Sequence, residues 1–184
     1  MYFDSIDNQC YYQNEDGTDP RAKFRLRLYN HDGSFVKLEK KSKCKGMTGK
    51  ESCSVDQNLI EALCSGHVNQ DMANSPLQSE LITLVQTQGY RPSVIVEYDR
   101  VPYIYKLGNV RVTFDEGIAS SNDFSAFLSE KVKKRLILPA GHLLMEVKYD
   151  AFIPDYIYNL LQLNELRQTS FSKFYLCKKY NMYE

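Results

Sequence analysis

The 184 residues are enough for one domain, and a hydrophobic content of 43% lets that domain bury a real core. Lys plus Arg and Asp plus Glu number 23 each, so the formal net charge is zero, and a general basic coat for nucleic acid or anionic lipid is excluded. Any excess of cations must be local. The five cysteines (Cys10, Cys44, Cys53, Cys64, Cys177) are odd in number and include no Cys-x-x-Cys pair. With no signal peptide ahead of them they read as reduced thiols of a cytoplasmic protein, and a structural zinc site is not expected. The longest largely apolar run, Leu136 to Met145, is broken by Pro139 and His142 and is too short to cross a bilayer.

In chain order, residues 2–6, 22–30, 34–44 and 48–54 have the composition of strands joined by turns at Asp16-Gly17, His31-Asp32-Gly33 and Gly46, which gives an antiparallel meander. From Val55 to Gly89 the pattern becomes helical. Ser54-Val55-Asp56-Gln57 has capping-box spacing ahead of Leu59, Ile60 and Leu63, and a second helix from Leu77 carries Leu81, Leu84 and Val85 to a stop at Gly89 and Pro92. Strands resume at 93–100, 109–115, 134–138 and 142–149, around a polar insert at 120–134 with a short helix near Phe124 to Leu128. Short strands at this spacing predict an α+β domain built on a curved sheet or barrel. Pro154 suits the first turn of a helix running to about Leu166, and Ser170-Phe171-Ser172-Lys173 opens a last element. No repeat, low-complexity tract or linker divides residues 1–184.

Five of these stretches alternate charged and apolar residues with a period of two. Lys23, Arg25 and Arg27 flank Phe24 and Leu26; Lys37, Glu39, Lys41 and Lys43 follow on the next strand; Arg100 closes Val94, Val96 and Tyr98. Arg111, Thr113 and Asp115 flank Val112 and Phe114, and Glu146 and Lys148 flank Val147. Successive strand side chains point to opposite faces, so each stretch carries one charged face. A solvated face is the ordinary explanation for any one of them. Together they use Arg where solvent faces mix Thr, Ser, Lys and Gln, and the planar guanidinium matches phosphate oxygens two at a time. Enclosing such cations costs several kcal/mol per unpaired ion unless carboxylates, water or a polyanion compensate. Glu39, Asp115 and Glu146 are placed to do so, or to hold Mg²⁺ or Mn²⁺ together with phosphate oxygens. His31, His67 and His142 fall in turns or a loop, and the cysteines suit apolar packing better than nucleophilic catalysis. The 14 Tyr suit packing rather than base stacking.

Seven segments also resemble, in order and approximate spacing, the vacuolar transporter chaperone (VTC) domain, a polyphosphate polymerase family of the triphosphate tunnel metalloenzymes. They are Tyr2-Phe3-Asp4, Arg25-Leu26-Arg27-Leu28-Tyr29, Leu38-Glu39-Lys40-Lys41-Ser42-Lys43, Glu97-Tyr98-Asp99-Arg100, Val110-Arg111-Val112-Thr113-Phe114-Asp115, Met145-Glu146-Val147-Lys148-Tyr149 and Ser170-Phe171-Ser172-Lys173-Phe174. The resemblance implies an antiparallel barrel with a basic channel and helices outside, in which the terminal phosphoryl group of ATP is moved onto a growing polyphosphate chain with Mn²⁺ or Mg²⁺. It implies that Arg25 and Arg27 hold phosphates from one strand, with Lys23 on the same face and Lys41 or Lys43 reaching in from the next. It further implies that Arg100 and Arg111 grip from the opposite wall beside Lys148, that Glu146 takes the metal, that Lys173 enters from the last helix, and that Ser172 donates to phosphate. Such side chains would serve the ligand and not the core.

The resemblance further implies a first strand and a helix ahead of Tyr2-Phe3-Asp4. The chain starts inside that pattern, so the expectation is a barrel short of one strand, with an exposed sheet edge open to pairing with a second copy. The family's phosphate-sensing SPX domain and membrane segments lie outside this pattern. Two alternatives stay open: hydrolysis of tripolyphosphate or a nucleoside triphosphate by the same cage, and a non-catalytic polyphosphate-binding module.

Overall fold

The computed structural model describes residues 1–163, 166 and 168–182. Its strands are β1 (Tyr2–Asp4), β2 (Arg21–Arg27), β3 (Val36–Cys44), β4 (Met47–Val55), β5 (Arg91–Tyr105), β6 (Val110–Ser121), β7 (Arg135–Leu136) and β8 (Leu144–Lys148). The helices are α1 (Gln9–Glu15), α2 (Gln57–Ser65), α3 (Pro76–Gln88), α4 (Asp155–Leu160) and α5 (Lys173–Met182). All pairings are antiparallel, in the order β4-β3-β2-β1-β5-β6, with both β7 and β8 lying against the far edge of β6. The α+β class and the antiparallel sheet are therefore as expected.

Closure into a barrel is not. Among the described residues no strand pairing joins β4 to β7 or β8, so the path stays open between them. β7 spans two residues and β8 five, against nine in β4, so little backbone on that side is available to complete a ladder.

Alternation sorts the sheet into two faces. Phe24, Leu26, Val36 and Leu38 are buried on one, in a core shared with Phe3, Leu59, Leu63, Leu81 and Ile82. Each such side chain contributes about 1.5–3 kcal/mol by leaving water. Helix α3 lies over β3 and β4, tied down by Lys40 to Glu80 at 2.6 Å, and α2 packs on β5. Helix α5 packs on β5, β6 and α1.

The helix ends follow local chemistry. Asp56 rather than Ser54 caps α2, accepting from the Leu59 backbone N–H at 2.8 Å, and Gly66 ends it at φ 77°, a left-handed conformation that glycine adopts without strain. Ser75 caps α3 ahead of Pro76. Helix α1, in a stretch where the sequence predicts only a turn, has no capping side chain at Asn8. Its first N–H groups are taken instead by the buried carboxylate of Asp4, which accepts from Cys10 at 2.7 Å and Tyr11 at 3.1 Å. Helix α4 ends at Leu160, short of the expected Leu166; residues 164 and 165 of that expected helix lie outside the described residues.

Candidate functional site

Residues paired directly across an antiparallel ladder project to the same face, and the register therefore collects the charged positions. Lys23 lies opposite Lys41, Arg25 opposite Glu39, and Tyr2 opposite both Arg25 and Val94. Lys41 lies opposite Lys50, Arg100 opposite Asp115, Thr113 opposite Glu146, and Arg111 opposite Lys148. The predicted alternation thus becomes one continuous charged face.

That face curls. Flat, the five steps from β3 to β8 would span about 24 Å, well beyond the roughly 8–10 Å over which charges act in salt water. Yet the Lys41 ammonium is held below its ordinary pKa, first by loss of water and then by Lys148, with Glu146 opposing and with Arg25 and Lys173 adding to the depression. Charged groups from β2, β3, β8 and α5 therefore share one ionic space.

Two enclosed carboxylates organise the cations. Glu39, with a side chain 4% exposed, takes Arg25 Nη2 at 2.6 Å, Arg25 Nε at 2.8 Å and Lys50 Nζ at 2.6 Å, with Arg27 Nη1 at 4.0 Å. Asp115, fully buried, takes Arg100 through Nε at 2.6 Å and Nη2 at 2.7 Å, and Lys173 Nζ at 2.6 Å. Burial alone would raise both carboxyls; the hydrogen-bonded Lys50 and Arg25 hold Glu39 below its ordinary value, and Arg100 and Lys173 do the same for Asp115. Arg25 is disfavoured by burial, but Tyr2 and Glu39 more than offset this, and its Nη1 donates to the Tyr2 hydroxyl at 2.7 Å. Tyr98 floors the other cluster, with Arg100 5.1 Å and Lys173 4.9 Å from its ring centroid. The third carboxylate differs: Glu146 is 39% exposed, 3.7 Å from Arg100 Nη2 and 3.1 Å from Lys148 Nζ.

The predicted residues therefore divide. Arg25, Arg27, Lys41, Arg100, Glu146, Lys148 and Lys173 converge. Arg111 lies on the same face at its outer end, exposed and with no ionic partner among the described residues. Lys43 sits toward the rim near Asp19. Lys23 is hydrogen-bonded to Asn14 and lies 4.7 Å from the Phe174 ring centroid. Ser172 is the cap of α5: its Oγ accepts from the Tyr175 N–H at 3.3 Å, which fixes Lys173 as the first helical residue. The expectation that the arginines serve only a ligand needs correction for Arg25 and Arg100, since each also neutralises an enclosed carboxylate.

Lys50, Tyr2 and Tyr98 were missed as site residues. Lys50 stands among small polar residues and shows no alternation, but the two-residue turn Lys45-Gly46, with φ of 50° and 77°, pairs Cys44 with Met47 and thereby Lys41 with Lys50.

Arg forks and ammoniums spread over one curved face, oriented by carboxylates that do not exhaust their N–H groups, have the chemistry that suits oxyanions. A family model for the VTC domain matches residues 1–180, nearly the whole chain, and the chain belongs to the VTC domain family. That family is associated with polyphosphate. No curated protein matches the chain.

Proposed function

We propose that this domain binds polyphosphate and ATP along its charged face and transfers the terminal phosphoryl group of ATP to a growing polyphosphate chain. The observation that carries the reading is the convergence of Arg25, Arg27, Lys41, Lys50, Arg100, Lys148 and Lys173 around carboxylates that are buried, already paired and too few to neutralise them. Phosphoryl transfer asks little covalent chemistry of a protein; it asks for in-line positioning and cations aimed at the transferring group. Arg25 uses Nε, Nη1 and Nη2 on Glu39 and Tyr2, and so presents its remaining N–H groups in a fixed orientation. Arg100 bonds Asp115 through Nε and Nη2, leaving Nη1 to a phosphate. Lys41 and Lys148 supply mobile charge between the two clusters, and Arg111 extends the cationic path toward the rim.

Among the described residues no three His, Cys, Asp or Glu side chains cluster as a metal cage. Mg²⁺ and Mn²⁺ do not need one, since they are commonly held by one or two carboxylates together with substrate phosphates. Glu146 fits that role: it is accessible, whereas Glu39 and Asp115 are enclosed by cations. Bound there, Mn²⁺ or Mg²⁺ would neutralise charge on the phosphate oxygens.

The open sheet favours a second reading, a non-catalytic polyphosphate-binding module, because a path open between β4 and β8 excludes water less well than a closed tunnel. Incubation with ATP and Mn²⁺, followed by gel analysis of phosphate chains and an assay of free phosphate, separates the cases. Chain growth supports the polymerase. Phosphate release without chains indicates the hydrolase, and saturable tripolyphosphate binding without either indicates the binding module.

A further inference from the structure

At the other half of α5 from Lys173 lies an open pocket of about 480 Å³ that the charged sheet face does not use. At 1.5 Å per residue its helical wall, Lys178 to Met182, begins roughly 7 Å beyond Lys173 along the axis. The opposite wall is the start of β5. There Tyr2 pairs with Val94 and Phe3 with Pro92, which leaves Ser93 as the extra residue of a β-bulge. Bulges re-aim side chains and recur beside sites. Ser93 is 7% exposed and lines the pocket, and its Oγ has no hydrogen-bond partner among the described residues.

Two cations line the same space. Arg91 and Lys178 have no carboxylate partner among the described residues. The acid that acts on Lys178, Asp4, already accepts from the backbone N–H groups of Ser5, Cys10 and Tyr11. Burial disfavours the Lys178 charge, Asp4 opposes this, and Arg91 adds a smaller repulsion. The basic residue in the last turn of α5 is Lys179, so attraction to the helix C-terminus accounts for neither Lys178 nor Arg91.

An amide completes the set. Ser120 Oγ donates to Asn181 Oδ1 at 3.0 Å, and Asn181 Nδ2 donates to Asn122 Oδ1 at 2.7 Å. This relay fixes the orientation of Asn122 and leaves its Nδ2 as a donor at the pocket. Phe124 and Met182 provide apolar wall.

We infer that this pocket is a second binding site, separate from the charged sheet face, for a small phosphomonoester whose phosphoryl group is held by Arg91, Lys178 and Asn122 and whose organic body rests on Phe124 and Met182. The donors suit a tetrahedral oxyanion and the apolar wall suits a carbon body, so an aryl phosphate should bind more tightly than inorganic phosphate.

Residue-resolved NMR titration of the full chain with phenyl phosphate, inorganic phosphate and phenol tests this, because pocket and sheet-face signals report separately. Phenyl phosphate is expected to move the Ser93, Asn122 and Asn181 amides saturably, inorganic phosphate more weakly, and phenol not at all. Arg91→Gln and Lys178→Gln should each weaken phenyl phosphate at these signals by about tenfold or more while leaving the titration of Tyr98 and Thr113 unchanged. Saturation by phenol equal to that by phenyl phosphate, variants that bind as the parent does, or no saturable shift in the pocket would each overturn the inference.

Discussion

Replacing Asp115 by Asn removes one negative charge from between two cations and keeps the shape of the side chain. Arg100 holds that carboxylate through two bonds of 2.6 and 2.7 Å and Lys173 through one of 2.6 Å, with Asp115 fully buried. Summed as charge-assisted bonds these would give about 5–9 kcal/mol. The sum overshoots, because Arg100 and Lys173 are partly exposed and regain water, and Asn keeps one acceptor oxygen. Breaking one side of a buried pair costs about 3–5 kcal/mol, and we expect Asp115→Asn to lose about 3–4 kcal/mol. At this chain length that is roughly 6–16 °C in Tm. Urea unfolding at neutral pH measures the loss, and calorimetry with tripolyphosphate measures the compensating gain. With one fewer negative charge among the cations, triphosphate should bind about fivefold more tightly, the equivalent of about 1 kcal/mol of unit-charge interaction in water. Saturating ligand should therefore narrow the stability gap between variant and parent. A loss below about 1 kcal/mol would show that Asp115 does not hold the cations, and a gap that widens with ligand would refute the idea that phosphate takes over its role.

Removing Arg111 should separate binding from stability: Arg111→Ala is expected to change unfolding free energy by less than about 0.5 kcal/mol while weakening tripolyphosphate by about 1.5–3 kcal/mol, and equal binding by calorimetry would exclude Arg111 from the ligand path. Acid should unfold the parent more steeply than Asp115→Asn. The Asp115 carboxyl is held below its ordinary value, so the stability it contributes is present at neutral pH and lost as pH falls through the depressed pKa; indistinguishable stability profiles below pH 4 would contradict this. Lys41 is held below its ordinary value by burial and then by Lys148, so tripolyphosphate affinity should decline as pH rises through that depressed pKa, and Lys41→Met should remove the decline. Glu146→Gln is expected to abolish Mn²⁺-dependent turnover and to preserve or tighten metal-free tripolyphosphate binding; an unchanged half-saturating Mn²⁺ concentration would remove Glu146 from the metal site.

The charged face was legible because a strand repeats every two residues and a charge cannot share a face with Phe24 or Leu38 without exposing one or burying the other. Period alone did not locate partners. The pairing of Arg100 with Asp115 depends on counting back from the turn at Leu107–Asn109, where Tyr105 meets Val110, and that hairpin runs past the strand ends expected at residues 100 and 115. Helix α1 escaped for a related reason: its capping carboxylate, Asp4, stands six residues before Cys10, outside the spacing by which a helix start is recognised. The resemblance led us to expect one exposed edge on a barrel, but not which strands would border the opening, since the period of a strand says which face it shows and nothing about which edge finds a neighbour.

What the sequence least prepared us for is the double duty of the arginines. An Arg aimed at phosphate must be held in place before the phosphate arrives, and in a curled, partly dry face water alone does not hold it. A carboxylate on the neighbouring strand does so, and the cost falls on affinity, because each ligand must share its cations with a fixed negative charge. The balance is set by count: one enclosed carboxylate serves Arg25, Arg27 and Lys50, another serves Arg100 and Lys173, and the cations left over, Lys41, Lys148 and Arg111, lie between and beyond the two clusters. A single small anion would meet one cluster, whereas a linear chain of phosphates lying across Lys41 and Lys148 would meet both. The arrangement therefore favours length in its ligand, and affinity should rise more steeply from phosphate to tripolyphosphate than the added charge of one cluster accounts for.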